Sequence, residues 1–246
     1  MCSRDTAGRN TRFGESVNPT VSIVMPVLNE ADRLQRAGRS LASLPNSEWI
    51  VVDGGSSDDS VKIAESMGAN VIVSSPGRAR QMNAGATRAR GDYLLFLHAD
   101  TTLPVDWPLW LGALESVEPD WGFFRVALQP AGKVLGLVAA AMNLRSSLTR
   151  VATGDQAMFV KRSVFEALSG FADIPLMEDV EISKRLRRRA SPMIWPTPVH
   201  TSSRRWRRHG IARTIFLMWS LRLQYVLGVS PAVLYRRYYG ATLEQK

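Results

Sequence analysis

The chain has 246 residues, 45% hydrophobic and 22% charged, so it can bury a full core and is not a wholly disordered protein. Its one cysteine, Cys2, excludes an intrachain disulfide and a cysteine-built metal site, which makes a reducing, cytoplasmic setting the expectation. The net charge of +9 is uneven, because Lys184 to Arg213 is rich in Lys and Arg and contains no acid. Such a block suits the phosphates of a nucleotide, a lipid head group or a nucleic acid, although Arg185 to Arg189 also reads as a solvated helix face.

Residues 1–19 hold no apolar run and are expected to be a disordered leader rather than a secretory signal. TVSIVMP then reads as a buried strand, and residues 30–44 as a helix with Leu34, Ala37, Leu41 and Leu44 at helical spacing. EWIVVDGG is a second strand, DDSVKIAESMG a helix, NVIVSS a third strand, GRARQMNAGATRARG a helix and DYLLFLHAD a fourth strand. This alternation predicts a mostly parallel sheet flanked by helices.

Beyond Asp100 the expected order is a helix in PVDWPLWLGALES, a strand in WGFFRVALQ and a long helix in GKVLGLVAAAMNLRSSLTR. A strand in QAMFVKR, a helix in MEDVEISKRLRRR and a short strand in MIW follow, then a basic loop and apolar helices. The apolar run IARTIFLMWSLRLQYVLGVSPAVL is interrupted by Arg213, Arg222, Gly228 and Pro231. It falls short of the ~20 clean apolar residues of a spanning helix, so a peripheral membrane contact or a homodimer contact is the expectation.

Ligands of open α/β sheets sit at the carboxyl ends of the strands, where Asn29, Glu30, Asp53 and His98 to Asp100 are expected. Asp53 can accept hydrogen bonds from a base or ribose, or simply form a turn ahead of a helix cap. His98 and Asp100 project to one side of a strand end, as cation ligands or as a buried histidine and a turn former. Glu178 and Asp179 open a helix and can serve as a base or as favourable N-terminal charge. Arg78, Arg80, Gln81 and Asn83 surround a helix start suited to phosphate or to solvent. Asp155 and Gln156 precede a strand, as acceptor-binding residues or as an ordinary loop.

In order and spacing, VSIVMPVLNE, VVDGGSSDDS, GRARQMNAGATRARGDYLLFLHADT, GDQAMFV and MEDVEISKRL resemble family-2 glycosyltransferases of GT-A fold over roughly residues 20–190. LHADT, RARQMNAGA, SSRRW and YYG are similar to a bacterial subgroup labelled arsenosugar-biosynthesis glycosyltransferases. The resemblance implies a GT-A, Rossmann-like α/β domain over 20–205 with a helical extension over 206–246. It implies Pro26, Asn29, Glu30 and Asp53 at the nucleotide, and Arg80 and Asn83 near the donor.

Asp100 would be the carboxylate for Mn2+ or Mg2+, and Asp179, beside Glu178, the general base. His98 stands where the family's motif has its first acid, and His200 is a further metal or phosphate candidate, or an ordinary loop histidine. Arg204 or Arg205 would meet a UDP- or GDP-sugar donor, whose sugar passes with inversion to an acceptor hydroxyl. The rival readings are a sugar nucleotidyltransferase and a basic membrane- or nucleic-acid-binding module; nucleic acid is not expected as a partner.

Overall fold

The computed structural model describes residues 20–41 and 44–243, so the expected leader at 1–19 lies outside the described residues. The first half alternates as its apolar periodicity requires: β1 (Val21–Val27), α1 (Ala31–Leu41), β2 (Ser47–Asp53), α2 (Ser60–Ser66), β3 (Asn70–Val73), α3 (Arg78–Arg88) and β4 (Tyr93–Phe96). The second half comprises β5 (Thr101–Thr102), α4 (Trp107–Val117), β6 (Trp121–Gln129), α5 (Lys133–Thr149), β7 (Met158–Lys161), α6 (Arg162–Ala167), α7 (Glu178–Arg189) and β8 (Met193–Ser202). Helices α8 (Arg204–His209), α9 (Ile211–Val226) and α10 (Pro231–Leu243) close the chain.

The eight strands form one sheet in the order β3-β2-β1-β4-β7-β6-β8-β5. Strands β3, β2, β1 and β4 run parallel, β7 is antiparallel to both β4 and β6, and β8 runs parallel to β6. Alternate residues of each strand feed opposite faces, as the two-residue period dictates. Ile23, Met25 and Val51 pack against Leu34 of α1 and Trp110 of α4, whereas Val24, Ile50 and Leu94 pack against Met82 of α3 and Ile182 of α7. Helices therefore cover both faces, and the loops at the carboxyl ends of β1, β2 and β4 are left to bind.

Strand β8 is longer than the expected MIW. Pro196 and Pro198 hide its continuation, because proline donates no ladder hydrogen bond. The sheet accommodates them in an irregularity: Phe124 pairs with Trp195, but Val126 pairs with Val199. The supposed basic loop after it is helix α8, which runs across position 205/206, where the extension was expected to begin. Helices α9 and α10 pack Leu221, Leu234 and Tyr238 against Met177 and Val180 at the start of α7.

Candidate active site

Two loops are tied together at the ends of β1 and β2. The Asn29 backbone N–H donates to Ser56 Oγ at 2.9 Å, and its side-chain Oδ1 accepts from the Ser57 N–H at 2.8 Å. Asn29 sits at φ 55°, a left-handed conformation that asparagine tolerates better than most residues. The Glu30 N–H donates to Ser60 Oγ at 2.8 Å, and the Glu30 carboxylate pairs with Arg33. Asp53, only 3% exposed, accepts the N–H groups of Gly55 and Ser56 at 2.9 Å and so shapes its own turn. Pro26 pairs with Val52 in the ladder beneath.

Helix α3 supplies a clamp. Gln81 Nε2 donates to the carbonyls of Val27 and Val52 at 2.8 Å each, joining the ends of β1 and β2. A Cβ on Gly54 would stand 3.0 Å from that amide, which explains a glycine there. The same helix gives the two residues expected near the donor, Arg80 and Asn83, partners within the chain. Arg80 Nε donates to Asp173 at 2.8 Å, and Asn83 exchanges hydrogen bonds with the backbone of Phe171 at 2.8 and 2.9 Å. Three residues apart, they share a helix face that fastens the 171–173 segment, while Arg78 interacts electrostatically with Glu178, Asp155 and Asp179.

Across the sheet, α7 delivers the carboxylate pair. Asp179 Oδ2 accepts the Gly154 N–H at 2.8 Å and Oδ1 accepts the Val180 N–H at 2.7 Å. Burial, with Asp155 nearby, raises the Asp179 pKa against the opposing pull of those N–H groups and Arg78. Burial and then Asp179 push Glu178 up to about 7, with Arg78 opposing. Met177, just before the pair, has φ 71°, and Ala157, just after the Gly154–Gln156 turn, has φ 43°. Such left-handed non-glycine residues are costly and concentrate at functional sites.

The Glu178 proton gives a measurable signature. The folded chain holds it more tightly than the unfolded chain, so its stabilisation is full below about pH 4.5 and is lost as pH rises through about 7. Thermal melts between about pH 5 and 8 should show wild type losing more stability with rising pH than Glu178→Gln. Parallel profiles would remove this assignment.

His98, 15% exposed at its side chain, lies against Gly154, with its Nδ1 3.8 Å from Asp155 Oδ1. Burial and then Arg78 lower its pKa to about 4, Arg205 adding to the effect and Asp100 resisting it, so the imidazole is neutral near pH 7. The expected set of Asp100, His98 and His200 is not assembled: among the described residues no three of His, Cys, Asp and Glu gather to hold a metal. His200 alternates in β8 with the buried Val199 and Thr201, and its Nδ1 lies 3.0 Å from Gln129 Nε2. Asp100 and neutral His98 remain chemically suited to Mn2+ or Mg2+, since such ions take one or two protein ligands and complete their shell from phosphates and water.

Arg78, Asp155 and Asp100 all act electrostatically on Arg205, whose guanidinium also lies 4.5 Å over the Tyr238 ring. Arg204, by contrast, faces a different pocket with Arg207 and Arg208. Gln156 is fully buried, and its Oε1 accepts from Ser146 Oγ at 2.7 Å, so it frames the turn rather than presenting a surface to an acceptor. Arg145, not singled out from the sequence of α5, has its pKa lowered by burial, with Asp179 and Asp155 opposing. In the basic run, Arg185 pairs with Glu181 at 2.6 Å and Arg189 with Asp120 at 2.8 Å.

The cleft thus brings together carboxylates from three loops with Arg78, Arg145 and Arg205 at the carboxyl end of a doubly covered sheet. That is the architecture of a GT-A fold, and solved structures align with it. S. aureus TarS 1–349 in complex with UDP superposes with TM-score 0.61 at 16% identity, covering 74% of this chain and 60% of that one. The mannosyltransferase PcManGT from Pyrobaculum calidifontis, in complex with GDP-Man and Mn2+, gives 0.59 at 18% identity over 75% of this chain and 56% of that one.

Residues 22–110 match the glycosyl transferase family 2 profile. An uncharacterised glycosyltransferase of Mycobacterium tuberculosis (strain ATCC 25618 / H37Rv) is 40% identical over 88 residues, 33% of this chain and 34% of that protein. A PGL/p-HBAD biosynthesis glycosyltransferase of Mycobacterium bovis (strain BCG / Pasteur 1173P2) is 36% identical over 94 residues, 35% of this chain and 37% of its own length. The matched segment spans about a third of the length of these curated relatives.

Proposed function

We propose that the chain is an inverting glycosyltransferase that moves a sugar from a UDP- or GDP-sugar to an acceptor hydroxyl. The observation that carries this reading is the crowding of positive charge in the cleft. Burial first and then Arg78 lower the Arg205 pKa, with Asp155 and Asp100 opposing, so two guanidiniums face one cleft that a bound anion would bridge. A diphosphate is such an anion, and the complexes of the structural neighbours hold UDP or GDP-Man.

Asp179, fixed by the Gly154 N–H, is placed to take the acceptor hydroxyl's proton as that oxygen attacks the anomeric carbon. The C–O bond to the diphosphate breaks on the opposite side of that carbon, so configuration inverts and no side chain becomes covalently linked. Arg78 and Arg205 stabilise the negative charge that gathers on the leaving diphosphate. A Mn2+ or Mg2+ ion would be held by Asp100 with His98 beside it and would supply further positive charge against the phosphates.

Calorimetric titration of UDP, GDP and their sugars with and without Mn2+ tests the reading. Asp100→Ala is expected to abolish the Mn2+-dependent gain in affinity; an unchanged gain would remove its metal role. Release of nucleoside diphosphate on transfer is the expected reaction, and release of pyrophosphate would favour a nucleotidyltransferase instead.

A further inference from the structure

Helix α8 divides its side chains three ways. Arg205 turns to the cleft, Trp206 joins Leu135, Val138 and Ala139 of α5, and Arg204, Arg207 and Arg208 line a separate pocket of about 390 Å3 with Pro130 and Ser202. Positions 204, 207 and 208 share one helical face, so the three guanidiniums bound one concavity. The next helix, α9, exposes Phe216 (77%), Trp219 (73%) and Leu223 at i, i+3 and i+7, a continuous apolar stripe. Exposed Leu137, Leu144 and Leu148 form a second stripe on α5, which meets the start of α9 at Ile211.

We propose that α8 and α9 form a docking face for an anionic lipid bilayer. Head-group phosphates seat between Arg204, Arg207 and Arg208, and Phe216, Trp219 and Leu223 enter the boundary between head groups and acyl chains. Charge complementarity selects this occupant. The sequence contains no Asp or Glu from Lys184 to Leu243, and residues 204–243 carry eight arginines. A second copy brought to the same patch would set arginine against arginine. Nucleic acid would satisfy the arginines and leave the Phe, Trp and Leu stripe in water. No helix among the described residues is long and apolar enough to cross a membrane, so the contact lies in the plane of the surface.

Vesicle flotation of the full chain, on phosphatidylcholine with and without phosphatidylglycerol at low and high salt, tests this. Binding should be at least ~10-fold stronger on the anionic vesicles and should weaken with salt. Arg207→Glu/Arg208→Glu should remove that anionic preference. Phe216→Ser/Trp219→Ser should lower binding to both vesicle types ~10-fold or more, with the circular dichroism spectrum and UDP affinity of both variants unchanged. Equal binding to neutral and anionic vesicles, or variants that bind as wild type does, would overturn the proposal. So would a concentration-dependent dimer in sedimentation, or DNA binding, without vesicle binding. UDP affinity is read separately, so failure here leaves the glycosyltransferase reading standing.

Discussion

Asp179→Asn is expected to lower the transfer rate ~10²–10⁴-fold, the usual worth of general-base assistance, while affinity for the nucleoside diphosphate persists. The amide is nearly isosteric, and its oxygen can still accept the Gly154 N–H that now meets Oδ2 at 2.8 Å. What disappears is the basic carboxylate that receives the acceptor's proton, together with the bond that Oδ1 accepts from the Val180 N–H. Steady-state kinetics paired with UDP or GDP calorimetry separate the two effects. A variant retaining full turnover would shift the base to another group, with Glu178 the adjacent candidate. A variant that lost nucleotide binding as well would assign Asp179 to the structure of the donor site.

Gly154→Ala should cost ~10²-fold in turnover, the scale expected when catalytic groups move by about 1 Å. A Cβ there would stand 2.5 Å from His98 Cε1 and 2.8 Å from its Nε2, so the imidazole must shift. The same residue's N–H orients Asp179, and one methyl group therefore disturbs both sides of the cleft. Gly154 is absent from the residues of positive φ, so alanine tests space rather than backbone conformation. Unaltered kinetics with an unchanged circular dichroism spectrum would show that the turn yields without displacing either group.

The parallel half of the sheet was legible because its strands are short apolar runs and its helices repeat near 3.6 residues. The carboxyl-end clustering of Asn29, Asp53 and His98 followed from that alternation alone. Helix α3 was legible as a helix, but which of its polar residues turns inward was not. Arg78 and Gln81 face the cleft and the strand ends, while Arg80 and Asn83 face the 171–173 segment, a choice made by packing against residues about 90 positions away. Arg145 gave only a weak signal, one of two cations, with Lys133, in a largely apolar helix. Pro196 and Pro198 concealed most of β8 and, with it, the place of His200 in a strand beside Gln129.

The β5–β8 pairing bears on the order in which the site can form. Thr101, next to Asp100, meets Thr201 across a separation of one hundred residues, with hydroxyl oxygens 3.2 Å apart. Contacts so distant in sequence form slowly, because the loop must close before the pairing repays it. During synthesis, β1 to β4 and their helices can collapse early, yet the segment bearing Asp100 gains its strand partner only after residue 201 has left the ribosome. The loops after β1 and β2 thus take shape ahead of the strand pairing that anchors the Asp100 segment, and Arg205, which follows residue 201, joins the cleft later still.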